Sequence, residues 1–156
     1  MTTTANSSEQ LATEYVTVTV GDHLFGLPIS RVQDVFVPDR LTRVPLAPPE
    51  VAGILNLRGR VVTSIDMRSC LDFASSEPGT QAMAVGIEWR GESYGLLVDS
   101  VGEVIALHDS DCEGKPANLD SRLSRVADGV YRLEGQLLIV LNVDRVLDIK
   151  NGAIAA

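Results

Sequence analysis

Aromatic side chains make up only 4% of this 156-residue chain, and cysteine and histidine occur twice each. Cys70 and Cys112 have neither CxxC nor zinc-like spacing, so they form no disulfide framework and read as thiols of a reducing cytosol. His23 lies beside a turn, and neither it nor His108 has a neighbour pattern that would make it a base or a metal ligand. No apolar run approaches the roughly 20 residues of a membrane helix. The first residues, Met1 to Gln10, have no basic start and no apolar run, so they are no signal peptide; residues 1–12 read as a disordered lead-in to a cytoplasmic protein. GxSxG, P-loop, HExxH and GxGxxG motifs are all missing, which removes the local signatures of hydrolases, nucleotide sites and zinc enzymes. Asp109 to Gly114 has the look of a calcium loop, but no helices flank it and it reads as a solvated acidic stretch. Asp66, Asp144 and Asp148 are better placed to cap strand ends than to act as a catalytic pair.

A surplus of positive charge is also lacking. The formal net charge is −8 and the pI about 4.6, which argues against a nucleic-acid partner, because that affinity rests on clustered lysine and arginine. The charge is uneven: between residues 31 and 68 six arginines face four carboxylates, leaving −10 on the remainder. A locally basic region on an acidic protein suits an acidic protein partner reached by electrostatic steering. With 45% hydrophobic residues, a chain of this length buries roughly two-thirds of its unfolded surface and needs neither metal nor disulfide to fold.

What the chain does have is an internal repeat. Gly53-Ile54-Leu55-Asn56-Leu57-Arg58-Gly59-Arg60-Val61-Val62 returns as Gly129-Val130-Tyr131-Arg132-Leu133-Glu134-Gly135-Gln136-Leu137-Leu138, an offset of 76 that continues from Ile65-Asp66 to Leu141-Asn142. Phe25-Gly26-Leu27-Pro28 returns as Tyr94-Gly95-Leu96-Leu97 at an offset of 69, which pairs Val32 with Val101 and Val35 with Val104. One β-rich unit is therefore used twice. Hydrophobic character is kept between copies, as a shared core requires, while Arg58 becomes Glu134. Differences between the copies are where function is to be sought.

Tyr15 to Val20 alternates in β-branched residues and turns at Gly21-Asp22 into Leu24 to Ile29, a hairpin. Val32, Val35 and Phe36 fit either a short helical turn or an irregular strand. Four prolines between Pro38 and Pro49 make that stretch loop and edge. Val51 to Leu57 and Arg60 to Met67 form a strand pair with Arg58-Gly59 at its turn. Ala74 to Thr80 is a linker between copies. Further strands follow near Ala82 to Trp89, Tyr94 to Val98, Val101 to Leu107, Gly129 to Leu133 and Gln136 to Val143. The offsets differ by seven residues, which places a longer loop in the second copy, at His108 to Asp128; being polar, it reads as mobile. Short strands without a long amphipathic helix predict an all-β protein of two small barrels. A repeat leaves open whether strands cross between them.

The segment Asn56-Leu57-Arg58-Gly59 followed by Val61-Val62 and Ile65-Asp66-Met67-Arg68 resembles the CheW family of bacterial chemotaxis coupling proteins. Phe25 to Ile29 with Val32-Gln33-Asp34-Val35, Gly95 to Val101, and Leu138 to Asp144 extend the resemblance over residues 13 to 149. It implies one CheW-like domain of two five-stranded, SH3-like barrels around a shared core, with residues 150–156 as a short tail. It also implies a non-enzymatic adaptor without cofactor or metal, whose partners are the regulatory domain of the histidine kinase CheA and the cytoplasmic tip of methyl-accepting chemotaxis receptors. Carried over by position, the protein-binding residues are Arg58, Val32, Asp34, Gly53, Gly95, Val101 and Val104. The valines double as core residues and the glycines as backbone requirements, so only Arg58 and Asp34 have a charged end that a core would not ask for. Asp34 stands where the family often has glutamate, and Thr63-Ser64 departs from the expected proline and apolar residue. A CheW-like adaptor of another chemosensory pathway is the alternative, and a small-molecule-binding double barrel a more distant one. The protein is expected as a monomer alone and as part of receptor arrays with its partners.

Overall fold

A computed structural model describes residues 12–38, 41–74 and 82–148. Ten strands run in chain order as β1 (Ala12–Val20), β2 (His23–Pro28), β3 (Val32–Phe36), β4 (Val51–Leu57), β5 (Arg60–Asp66), β6 (Met83–Trp89), β7 (Glu92–Val98), β8 (Ser100–His108), β9 (Ala127–Leu133) and β10 (Gln136–Leu141). The predicted all-β class holds. Ala12, assigned to the lead-in from sequence, is the first residue of β1 and pairs with His108; the rest of the lead-in, most of the linker and the tail lie outside the described residues. Of the two readings left open for Val32, Val35 and Phe36 the irregular strand is the one adopted, β3 with a register shift between Val32 and Asp34, and a 3-10 turn at Ile29–Arg31 precedes it.

The sheets are ordered β8-β1-β2-β10-β9 and β3-β6-β7-β5-β4. Neither copy of the repeat makes its own sheet. The first hairpin, β1 and β2, joins three strands of the second copy, and β6 and β7 join three of the first, through parallel pairings of β10 with β2 and of β5 with β7. The strand exchange left open by the repeat is the arrangement adopted. Registers repeat with the same offsets: Val18 faces Phe25 and Val101, while Ile87 faces Tyr94 and Val32. Each sheet order is therefore the other's image under the repeat.

Alternation gives every strand two faces. One face of both sheets meets in a shared core that includes Val16, Val18, Phe25, Leu27, Ile65, Val85, Ile87, Leu96 and Ile139. The opposite face of the first sheet holds a smaller cluster of Tyr15, Tyr131, Leu138 and Val140. The ends of each row are drawn together by an isolated bridge: Thr42 to Ile54 in one sheet and Glu113 to Val130 in the other. These bridges explain the glycines that head the repeat. A Cβ at Gly53 would come within 2.6 Å of the Thr42 carbonyl oxygen, and one at Gly129 within 2.7 Å of that of Glu113.

The loop from His108 to Asp128 is not the free loop its polarity suggested. A one-turn helix at Ser121–Ser124, capped by Asp120, carries Leu123 into the shared core, and Val126 follows it there. Arg122 donates to the Asp72 carbonyl at 2.7 Å and lies over the Phe73 ring. A few apolar residues spaced through a polar stretch suffice to pack it once a core is present to receive them.

Two ion pairs hold the places where the chain passes between sheets. At the β7–β8 crossing Asp99 is gripped in bidentate fashion, at 2.9 and 2.5 Å, by Arg68, which follows β5, and it also accepts from the Gly21 amide at 2.9 Å. This pairing, chiefly its hydrogen bond, raises the Arg68 pKa and lowers that of Asp99. At the β2–β3 crossing Arg31 pairs at 2.9 Å with Asp144, which follows β10 at the position equivalent to Arg68. The repeat has thus kept a charged clasp at both crossings while exchanging its signs.

Candidate functional site

The β4–β5 turn closes between Leu57 and Arg60, with φ of 56° at Arg58 and 83° at Gly59. Two successive left-handed residues match the right-handed twist of the flanking strands. The Gly59 amide donates to the Asn56 side chain at 2.8 Å, which fixes the turn from within. Arg58 is exposed at its tip and forms no ion pair with another described residue.

Asp34 lies on β3, an edge strand, opposite Gly86 at a register shift. A Cβ at Gly86 would collide with its carboxylate, so that glycine is what lets Asp34 lie flat on the sheet. Gly95, the neighbour of Gly86 on β7, has Phe36 and Val62 at 3.3 and 3.4 Å from where its Cβ would be. Asp34 and Phe36 of β3 thus bend over a glycine trough. One carboxylate oxygen of Asp34 is buried without a hydrogen-bond partner among the described residues; the other is 3.9 Å from the Arg60 guanidinium.

That last contact brings the two charged candidates into one patch. In the sheet order β3 and β5 are three spacings apart, about 14 Å if the sheet were flat. The approach of Arg60 to Asp34 means the sheet curls until β3 stands near the mouth of the β4–β5 turn, two residues from Arg58. Gly95 lies beneath this patch and Gly53 on the far edge strand at the Thr42 bridge.

The valines divide. Val32 and Val101 are half-buried and pack against the shared core. Val104 and Val35 are 48% and 42% exposed, although each faces a core residue across its ladder, Val16 and Val85. Opposed residues point to the same side of a sheet, so these two edge valines extend the core face into solvent. Val37 and Val61 are exposed as well, at 41% and 61%. Because β3 and β8 belong to different sheets, the valine sets are equivalent in topology and form two edges, one to each sheet, with their inner members seated in the same core.

Arg60 was missed by sequence reasoning, since a basic residue after the turn glycine is indistinguishable from another solvated charge. Leu46 was also missed. It occupies the third position of a turn closed by the Ala47 amide on the Val44 carbonyl, has φ of 65° and is fully exposed. The carboxylates that an acid–base reading would enlist have structural duties. Asp66 caps the helix Met67–Cys70 by accepting from the Arg68 amide at 3.0 Å, and Asp144 and Asp148 pair with Arg31 and Arg90. The edge strand thus carries fixed charges on one face and exposed valines on the other, a mixture of apolar and charged groups suited to protein contacts.

The family model for a CheW-like domain matches residues 14–151. A chemotaxis protein CheW of Rhizobium meliloti (strain 1021) is 28% identical over 94% of both chains. One of Bacillus subtilis (strain 168) is 27% identical over 80% of both. Among solved structures, the scaffolding protein TtCheW from Thermoanaerobacter tengcongensis superposes with a TM-score of 0.72 at 26% identity, covering 83% of this chain and 88% of that one.

Proposed function

The chain belongs to the CheW family, and from that premise we infer that it is a chemotaxis coupling adaptor that works by binding alone. It joins the regulatory domain of the kinase CheA to the cytoplasmic tip of methyl-accepting receptors and passes receptor state to kinase activity from the cytoplasmic side. The observation that supports this reading most directly is the approach of Arg60, two residues from Arg58, to Asp34 on an edge strand whose other face carries exposed valines. Few apolar anchors with a charged rim give reversible, specific association. Edge strands with unpaired backbone groups add further docking surface. Arg58, in no ion pair with another described residue, is available to an acidic partner, in keeping with the local excess of arginine.

The test is co-sedimentation with receptor-tip fragments and CheA from the same source, with kinase autophosphorylation as the readout. Recruitment and activation that depend on this protein are expected. Arg58→Glu is expected to leave the thermal midpoint unchanged and to abolish coupling, because the turn geometry rests on Asn56 and Gly59. Full kinase activation by Arg58→Glu would remove Arg58 from the site, and recruitment of neither partner by the wild type would overturn the reading.

A further inference from the structure

We propose that Arg60 is a positioning residue of this site: its guanidinium holds the Asp34 carboxylate over the glycine trough and so fixes edge strand β3 against the β4–β5 turn. The proposal rests on the adaptor reading for its functional half and on geometry for the rest. Asp34 has one oxygen buried and unpartnered, and Arg60, 3.9 Å from the other, is the described cation that faces it. A half-desolvated carboxylate without a backbone donor depends on a nearby positive charge to remain in place. Among the described residues backbone pairing supports β3 on one side only, through β6, so its position at the mouth of the curl depends on side chains: Phe36 on Gly95, Val32 in the core, and Asp34 with Arg60. At the equivalent sites of the other sheet the residues are Gln136 and Glu103, and the tie is of another kind, Thr17 donating to the Glu103 carbonyl at 2.7 Å. Arg60 is thus a device particular to the sheet that carries Arg58. Since half of its side chain remains exposed, it presents a charge to a partner while it orders the strand beneath.

Three variants test this, Arg60→Gln, Arg60→Lys and Asp34→Asn, together with the double variant Arg60→Gln/Asp34→Asn. Amide hydrogen exchange of Asp34, Val35 and Phe36 is read in each, and affinity for the CheA regulatory domain and receptor-tip fragment is titrated in parallel. Arg60→Gln and Asp34→Asn are each expected to speed β3 exchange about tenfold with β6 and β7 unaffected, and to weaken binding roughly fivefold. Arg60→Lys is expected to recover most of the exchange protection, since it keeps the charge. The double variant is expected to be no worse than the worse single, because both remove one contact. Wild-type exchange at β3 in Arg60→Gln, or effects that multiply in the double variant, would overturn the proposal. If the wild type bound neither fragment the adaptor reading would fail, while the exchange data would still decide whether Arg60 positions Asp34.

Discussion

Tyr15, Tyr131, Leu138 and Val140 fill the far face of the first sheet; the positions that the repeat relates to them, 84, 55, 62 and 64, hold Ala, Leu, Val and Ser. Strand order and register are the same in both sheets, so the difference is one of filling. In the first sheet two tyrosines meet edge to face with centroids 5.7 Å apart and hydroxyls 3.4 Å apart. Burial, and then the Tyr15 hydroxyl, drive the Tyr131 phenol well above the ordinary tyrosine range. The second sheet has small side chains, a glycine pair and two buried oxygens, on Ser64 and Asp34, that have no partner among the described residues. Well-filled interiors resist deformation. The far face of the first sheet is accordingly built for rigidity. That sheet also buries Thr17, whose hydroxyl donates to the Glu103 carbonyl, and a His23 Nδ1 that has no partner among the described residues, but only in the second sheet do such groups lie next to the charged residues of the candidate site.

The comparison breaks most plainly in the two far faces. Tyr131→Ala is expected to cost about 3–5 kcal/mol, as large aromatic truncations in packed interiors do, while Leu55→Ala at the equivalent position falls nearer 2 kcal/mol, roughly the low end for leucine. Urea denaturation of both variants measures the gap, and equal losses would mean that the second sheet is as tightly filled as the first. The bridging glycines should behave alike instead. Gly53→Ala and Gly129→Ala each push a methyl into a backbone carbonyl, and each should lose about 1–3 kcal/mol; a large effect at only one would show that only one bridge carries its sheet.

The clasps at the crossings sharpen the contrast further. Arg68 and Asp99 are both mostly shielded and bonded twice, whereas Asp144 is largely exposed. Arg68→Met is expected to lose about 1.5–3 kcal/mol, the range for bonds to charged groups, against about 0–1 kcal/mol for Arg31→Met. The pH profile discriminates between them. Because the Asp99 pKa is lowered in the folded state, its contribution is complete above the unfolded carboxylate pKa and disappears as pH falls through the lower folded value. Wild type should therefore lose stability on acidification in a way that Arg68→Met does not. An unchanged acid limb in Arg68→Met would assign that loss to other carboxylates.

Much of this arrangement is legible in the amino-acid sequence. The two offsets identify which strands are equivalent, and the glycine pair at 53 and 129 marks the heads of matching strands. The turn at Arg58-Gly59 follows from glycine's tolerance of positive φ. Partnership between strands is what the chain does not disclose. Alternation states which face of a strand is buried but not which strand lies beside it, and the parallel pairings of β2 with β10 and β5 with β7 join residues more than a hundred and about thirty positions apart. Leu119, Leu123 and Val126 look like isolated apolar residues in a polar loop because the surface that receives them belongs to other strands. Arg60 is hidden for the same reason: its meaning depends on the curl that brings β3 to it.

Ser64 is the smallest and most discriminating test of the two-sheet contrast. It is fully buried, its hydroxyl has no partner among the described residues, and its equivalent in the other sheet is Val140. It also stands where the family pattern would place an apolar residue. A buried hydroxyl without a partner loses its hydration without compensation, so Ser64→Ala, which removes the oxygen and adds no volume, is expected to stabilise the protein by up to about 1 kcal/mol. A higher urea midpoint with an unchanged slope is the measurement that shows it. A lower midpoint would mean that the hydroxyl is satisfied in solution. The polar interior of the second sheet would then be a source of stability in its own right, and the two sheets would differ in the chemistry of their packing rather than in its quality.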